Sequence, residues 1–127
     1  MATIDITETS FETTLNNNDI VLIDFWAGWC APCRTFAPTY NAASDKHLDL
    51  AFTKVDVEAE QALAAKAGIS SIPTLMVFRD KLLVFSQPGV LDAGSLEQLI
   101  TQVRALNMQE IHDRDAMRTS GAGSQQQ

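Results

Sequence analysis

Cysteine occurs at only two positions in the 127-residue chain, Cys30 and Cys33, with Ala31-Pro32 between them. Two intervening residues let the thiols approach for a disulfide. The spacing gains meaning from its place between a strand end and a helix start, where free backbone N–H groups and the positive end of the helix dipole stabilise a thiolate. Cys30, the first of the pair, is therefore the expected nucleophile, and Arg34 adds a cation in the same sense. Three plainer uses of the pair fit less well. A purely structural disulfide over so short a loop stabilises by about 2 kcal/mol, against nearly 5 for a loop of about 100 residues. A zinc site takes about four ligands, and the histidines, His47 and His112, lie far apart without paired-ligand spacing. Inert core thiols sit oddly beside Trp29 and Pro32.

Asp24 is the second residue with chemical potential. It interrupts the apolar run Ile20-Val21-Leu22-Ile23-Asp24-Phe25-Trp26 and shares a strand face with Ile20, Leu22 and Trp26. A buried carboxylate without a partner is expensive, so its pKa should rise toward neutrality and suit it to proton exchange. From six residues before Cys30 it could reach beneath the helix start toward Cys33. The alternative is a structural aspartate bonded to backbone or to a lysine such as Lys54, and spacing alone leaves both open. Pro73 reads, from sequence alone, as punctuation before a strand.

Positioning these groups requires alternating strands and helices. The run Ile20–Trp26 follows the turn signal Asn16-Asn17-Asn18-Asp19 and predicts a buried central strand. Ser10 to Leu15 suits a short helix capped by Thr9 or Ser10. After the cysteines, Phe36, Ala37, Tyr40 and Ala43 define a helical face, kinked by Pro38. Leu50 to Val57 alternates Phe52, Lys54 and Asp56 against Thr53, Val55 and Val57, as a strand does. Glu58 to Ala67 predicts a helix stopped by Gly68. Leu75–Phe78 and Leu82–Phe85, turned by Arg79-Asp80-Lys81, predict an antiparallel hairpin. Leu96, Leu99, Ile100, Val103 and Leu106 stripe a last helix from about Ser95. The pattern weakens from Asn107, and Thr119 to Gln127 is small and polar enough to be disordered.

Composition supports one globular core, with 46% hydrophobic and 20% charged residues. The net charge of −7 argues against a generic grip on nucleic acid or anionic lipid and otherwise serves solubility. Met1 to Phe11 has neither a basic n-region nor an apolar h-region, and no stretch approaches a membrane span. With so few cysteines, this predicts a reducing, cytoplasmic setting.

The ordered set Asp24-Phe25-Trp26-Ala27-Gly28-Trp29-Cys30-Ala31-Pro32-Cys33-Arg34, Pro38, Lys54-Val55-Asp56, Ile72-Pro73-Thr74 and Gly89 resembles the thioredoxin family. The likeness spans roughly residues 3 to 106. It implies an α/β thioredoxin fold, with a central five-stranded mixed sheet flanked by four helices, in a domain over residues 1–108. Residues 109–127 would form a largely flexible C-terminal extension. It also implies a dithiol that reduces disulfides in other proteins, with Cys30 attacking and Cys33 resolving. By the same resemblance, Asp24 assists deprotonation of the resolving thiol through water, and Lys54 neighbours that carboxylate. Pro73 would be a cis-proline beside the dithiol, letting Ile72 offer its backbone to an extended substrate. Trp29, Pro32, Ile72, Pro73, Gly89 and Val90 would form the docking surface.

No bound cofactor or metal is implied. The Cys30–Cys33 disulfide would be recharged from NADPH by a flavin enzyme, thioredoxin reductase, and the protein would act as a monomer on disulfide-containing partners. Ala31 replaces the usual glycine between the cysteines, which bears on redox potential. Ser71 and Pro88 alter the docking rim, and Asp80-Lys81-Leu82 replaces the common Asn-Gly hairpin turn. A redox-gated binding module is the competing function, and an oxidant or isomerase is the same chemistry run in reverse.

Overall fold

A computed structural model describes residues 3–125 of the chain. The first half contains β1 (Thr3–Asp5), α1 (Glu8–Asn17), β2 (Ile20–Trp26), α2 (Ala31–Lys46) and β3 (Ala51–Asp56). It continues through α3 (Gln61–Lys66), β4 (Thr74–Arg79), β5 (Leu82–Pro88), α4 (Ala93–Arg104) and α5 (Met108–Gln125). The strands lie in the order β1-β3-β2-β4-β5. β1, β3 and β2 run parallel, while β4 and β5 complete the sheet antiparallel, giving the expected mixed sheet.

β2 is the central strand, and all its residues but Trp26 are buried. This explains its nearly continuous apolar sequence, since helices cover both faces of the sheet. Ile20 and Leu22 meet Phe36 and Tyr40 of α2 and Leu96, Leu99 and Ile100 of α4 on one side. Val21, Ile23 and Phe25 meet Leu15 of α1 and Leu63 of α3 on the other. Four helices thus flank the sheet, and α5 is a fifth beyond them. α2 is continuous through Pro38.

Several boundaries differ from the sequence reading, each for a local reason. α1 is capped by Thr7, because Ser10 Oγ accepts from Thr7 N at 2.9 Å while Thr7 Oγ1 accepts from Ser10 N. Ser10, expected as a cap, is the reciprocal partner. α3 is shorter than expected, because Asp56 Oδ1 accepts from the N–H groups of Glu58 (2.9 Å) and Ala59 (3.4 Å) and holds them in a turn. α4 begins at Ala93, because Asp92 Oδ1 accepts from Ser95 N at 2.7 Å. The hairpin turn is only Asp80-Lys81, with φ of 52° and 70°, the left-handed pair that matches strand twist. β1 is too short to show a periodicity of its own.

Arg79 therefore belongs to β4. Its Nη1 donates to the carbonyls of Val103, Arg104 and Leu106, at 2.8, 3.2 and 3.1 Å, fastening the C-terminal end of α4. Beside it Asp80 pairs with His112 of α5 at 3.1 Å. Thr119 to Gln125, expected to be disordered, instead continue α5, and Gln126 and Gln127 lie outside the described residues.

The hydroxyl of Tyr40, on α2, donates to Thr53 O, and Thr53 Oγ1 donates to Leu22 O, both at 2.8 Å. This buried chain ties α2 to β3 and β3 to β2. Tyr40→Phe keeps the ring and removes one bond, so it should lower unfolding free energy by about 1–2 kcal/mol. Urea denaturation checks this, with a lower midpoint and an unchanged m value expected.

Candidate active site

β2 ends at Trp26, and four residues later the chain enters α2, so Cys30 falls at the helix N-cap. Its backbone is extended, with φ −89° and ψ 109°. Cys30 Sγ takes the place of a serine or aspartate oxygen, accepting from Cys33 N at 3.2 Å. Pro32 stands in the first turn, where its missing N–H leaves no intrahelical bond unmade. The sulfurs are joined as a disulfide across a Cα separation of 5.2 Å. Both cysteines are only 3% exposed, whereas Ala31 and Pro32 face solvent.

The Ile72–Pro73 bond is cis, and the Ile72 carbonyl oxygen lies 3.8 Å from Cys30 Sγ. Gly89 N donates to Pro73 O at 2.8 Å, and Gly89 has φ 104°, where a side chain would be strained. Around the dithiol, Trp29 is 65% and Val90 43% exposed. Ile72 is half-buried and packs against Ala27 and the two cysteines. Pro73 itself is buried, so its side chain supports this surface from beneath. Arg34 donates from Nη1 to Gly28 O at 2.9 Å, bracing the loop before Cys30.

Asp24 lies on the sheet face covered by α2, is 1% exposed, and is in register with Lys54. Neither carboxylate oxygen has a hydrogen-bond partner among the described residues. The backbone or lysine bond left open by the sequence is therefore not formed. Burial raises the Asp24 pKa from 3.8 to about 7, with the Lys54 charge pulling the other way. Lys54 Nζ sits 4.8 Å from the centre of the Trp26 ring. Burial first, and the Asp24 charge second, push the Tyr40 hydroxyl well above its usual range.

Glu58 escapes the sequence reading. Its Oε2 accepts from Trp29 Nε1 at 2.6 Å. No local spacing links residues 29 and 58. The contact arises because β2 and β3 are parallel and finish together, with Val57 N donating to Trp26 O at 2.9 Å. His47 and His112 are engaged elsewhere, with Glu97 and Asp80 respectively. Among the described residues, no group of three or more His, Cys, Asp or Glu side chains gathers to hold a metal ion, and no helix is long and apolar enough to cross a membrane.

A disulfide at a helix N-cap, beside a cis-proline, on a β1-β3-β2-β4-β5 sheet whose central strand buries a carboxylate, defines a thiol–disulfide oxidoreductase whose redox group is its own cysteine pair. The thioredoxin family profile matches residues 2–102. The Streptomyces coelicolor protein named "Putative thioredoxin 2" is 46% identical over 96% of this chain and 91% of its own length. The Bacillus subtilis thioredoxin is 36% identical over 80% of this chain and 98% of its own. Among solved structures, a mutant thioredoxin from Halobacterium salinarum superposes with a TM-score of 0.76 at 33% identity, covering 82% of this chain and 92% of that one. The chain belongs to the thioredoxin family.

The Asp24 shift has a defined sign. Its folded pKa of about 7 lies above the unfolded value of 3.8, so the native state holds a proton that the unfolded state has released. Stability from this group falls as pH rises between those values and stays low above them, a loss of roughly 4 kcal/mol. Asp24→Asn should therefore be more stable than the parent, with a gain that grows from about pH 4 to pH 7 and then levels. Urea denaturation across this range checks it; a gain independent of pH would contradict the shift.

Proposed function

We propose that the protein reduces disulfides in other proteins. The observation that carries this reading is Cys30 Sγ at the α2 N-cap, accepting from the Cys33 amide, with the Ile72 carbonyl 3.8 Å away. In the reduced protein the Cys30 thiolate attacks a substrate disulfide. One sulfur of that disulfide becomes bonded to Cys30, and the other leaves as a thiolate that takes up a proton. Asp24 accepts the Cys33 proton, by way of water, and the Cys33 thiolate attacks Cys30 Sγ. The second substrate thiolate is expelled, two electrons have passed to the substrate, and the Cys30–Cys33 disulfide remains.

Ile72 offers backbone to an extended substrate segment, with Pro73 bending the chain and Gly89 leaving room beside it. Trp29, Pro32 and Val90 supply apolar contact that carries little sequence information. Lys54 acts through its charge on Asp24. Reducing equivalents come from NADPH through thioredoxin reductase, and the protein works as a monomer in the cytoplasm. Residues 1–108 form the catalytic domain, and 109–127 form an extension that is helical through Gln125. The family membership supports partner reduction as the direction of flow.

Insulin reduction by dithiothreitol tests the reading. The wild type should accelerate it, and Cys30→Ser should remove the acceleration. Cys33→Ser should trap several proteins through Cys30 as mixed disulfides. A wild type no faster than Cys30→Ser would contradict the proposal. A single partner held equally by the Cys30→Ser/Cys33→Ser double variant would point to redox-gated binding instead.

A further inference from the structure

Glu58 meets the docking surface at Trp29 and has no role in disulfide reduction as described so far. Trp29 is the most exposed aromatic beside the dithiol, at 65%, and its indole N–H is held by Glu58 at 2.6 Å. Glu58 is itself fixed from both sides. Its N–H donates to Asp56 Oδ1 at 2.9 Å, and its carbonyl accepts from Gln61 Nε2 at 3.3 Å. Glu60 N closes the turn on Asp56 O at 2.8 Å. The carboxylate is thus anchored to the residues between β3 and α3, which are tied to the end of β2.

One Glu58 oxygen accepts from the indole, and the charge stays at the edge of the ring. The other charged groups nearby are committed differently. Arg34 reaches the same loop from α2 but donates to Gly28 O at 2.9 Å. Asp92, two residues beyond Val90, caps α4 through Ser95 N at 2.7 Å. Lys54 Nζ lies over Trp26. Glu58 is therefore the charge bonded directly to a docking side chain, and the overall charge of −7 has the same sign.

We infer that Glu58 is a specificity-determining residue, favouring disulfide-bearing segments that carry Lys or Arg where the substrate meets Trp29. The inference rests on the reductase reading. A rim charge in contact with water acts mainly on encounter, so the preference is modest and is screened by salt. About two- to fivefold between lysine- and glutamate-flanked substrates is the expected scale.

The test uses two disulfide peptides that differ only in flanking Lys or Glu, with kcat/KM measured at low and high salt. At low salt the wild type should prefer the lysine peptide by about two- to fivefold, and high salt should shrink the ratio. Glu58→Gln keeps an acceptor for the Trp29 indole but removes the charge, so it should bring the ratio toward one. Glu58→Lys should invert it. The same ratio in wild type and Glu58→Gln, or an equal fall in rate for both peptides, would overturn the assignment, since a purely structural role predicts that pattern. A wild type that reduces neither peptide would overturn the reductase reading and this one with it.

Discussion

One hydrogen bond sets the demands on the rest of the structure, the 3.2 Å contact from Cys33 N to Cys30 Sγ. It forms only if α2 begins at Cys30, which makes the sulfur the helix cap and aims the first free amides at it. To place that helix start over the end of β2, the sheet must run β1-β3-β2-β4-β5 with α2 and α4 on one face. The buried chain from Tyr40 through Thr53 to Leu22 then fixes how α2 lies on the strands. Ile72 arrives beside Cys30 from the start of β4, across the cis bond to Pro73. The site is a place where three separate segments end at one edge of one sheet.

Asp24 shows the cost of burying an ionisable carboxyl in that frame. A well-packed apolar residue in the central strand would avoid the desolvation of a carboxylate that has no hydrogen bond. Lys54 offsets part of it through charge alone, since it is in register with Asp24 but extends over Trp26. The result is a carboxyl whose pKa of about 7 suits it to accept and return a proton under ordinary conditions. Stability is lost at that position as the carboxyl ionises.

Much of this was legible in the residues themselves. Ile20–Trp26 announced a strand buried on both faces, and Asp24 stood out within it because a charge there needs a reason. The cysteine spacing between a strand and a helix identified the sulfur chemistry. Less legible were features that depend on distant parts of the chain. Glu58 meets Trp29 because two parallel strands finish together, and no local pattern records that. Helix starts were misplaced where a side chain took an amide first, as Asp56 does before α3 and Asp92 before α4. The cis bond before Pro73 came from the family resemblance, because a lone proline reads as ordinary turn chemistry.

The claim that α2 activates Cys30 is tested most directly by titrating the reduced protein and following ultraviolet thiolate absorbance. A first thiolate step below about 7.5 is expected, assigned to Cys30 because it persists in Cys33→Ser. A first step at or above about 8.5, the ordinary cysteine value, would contradict it.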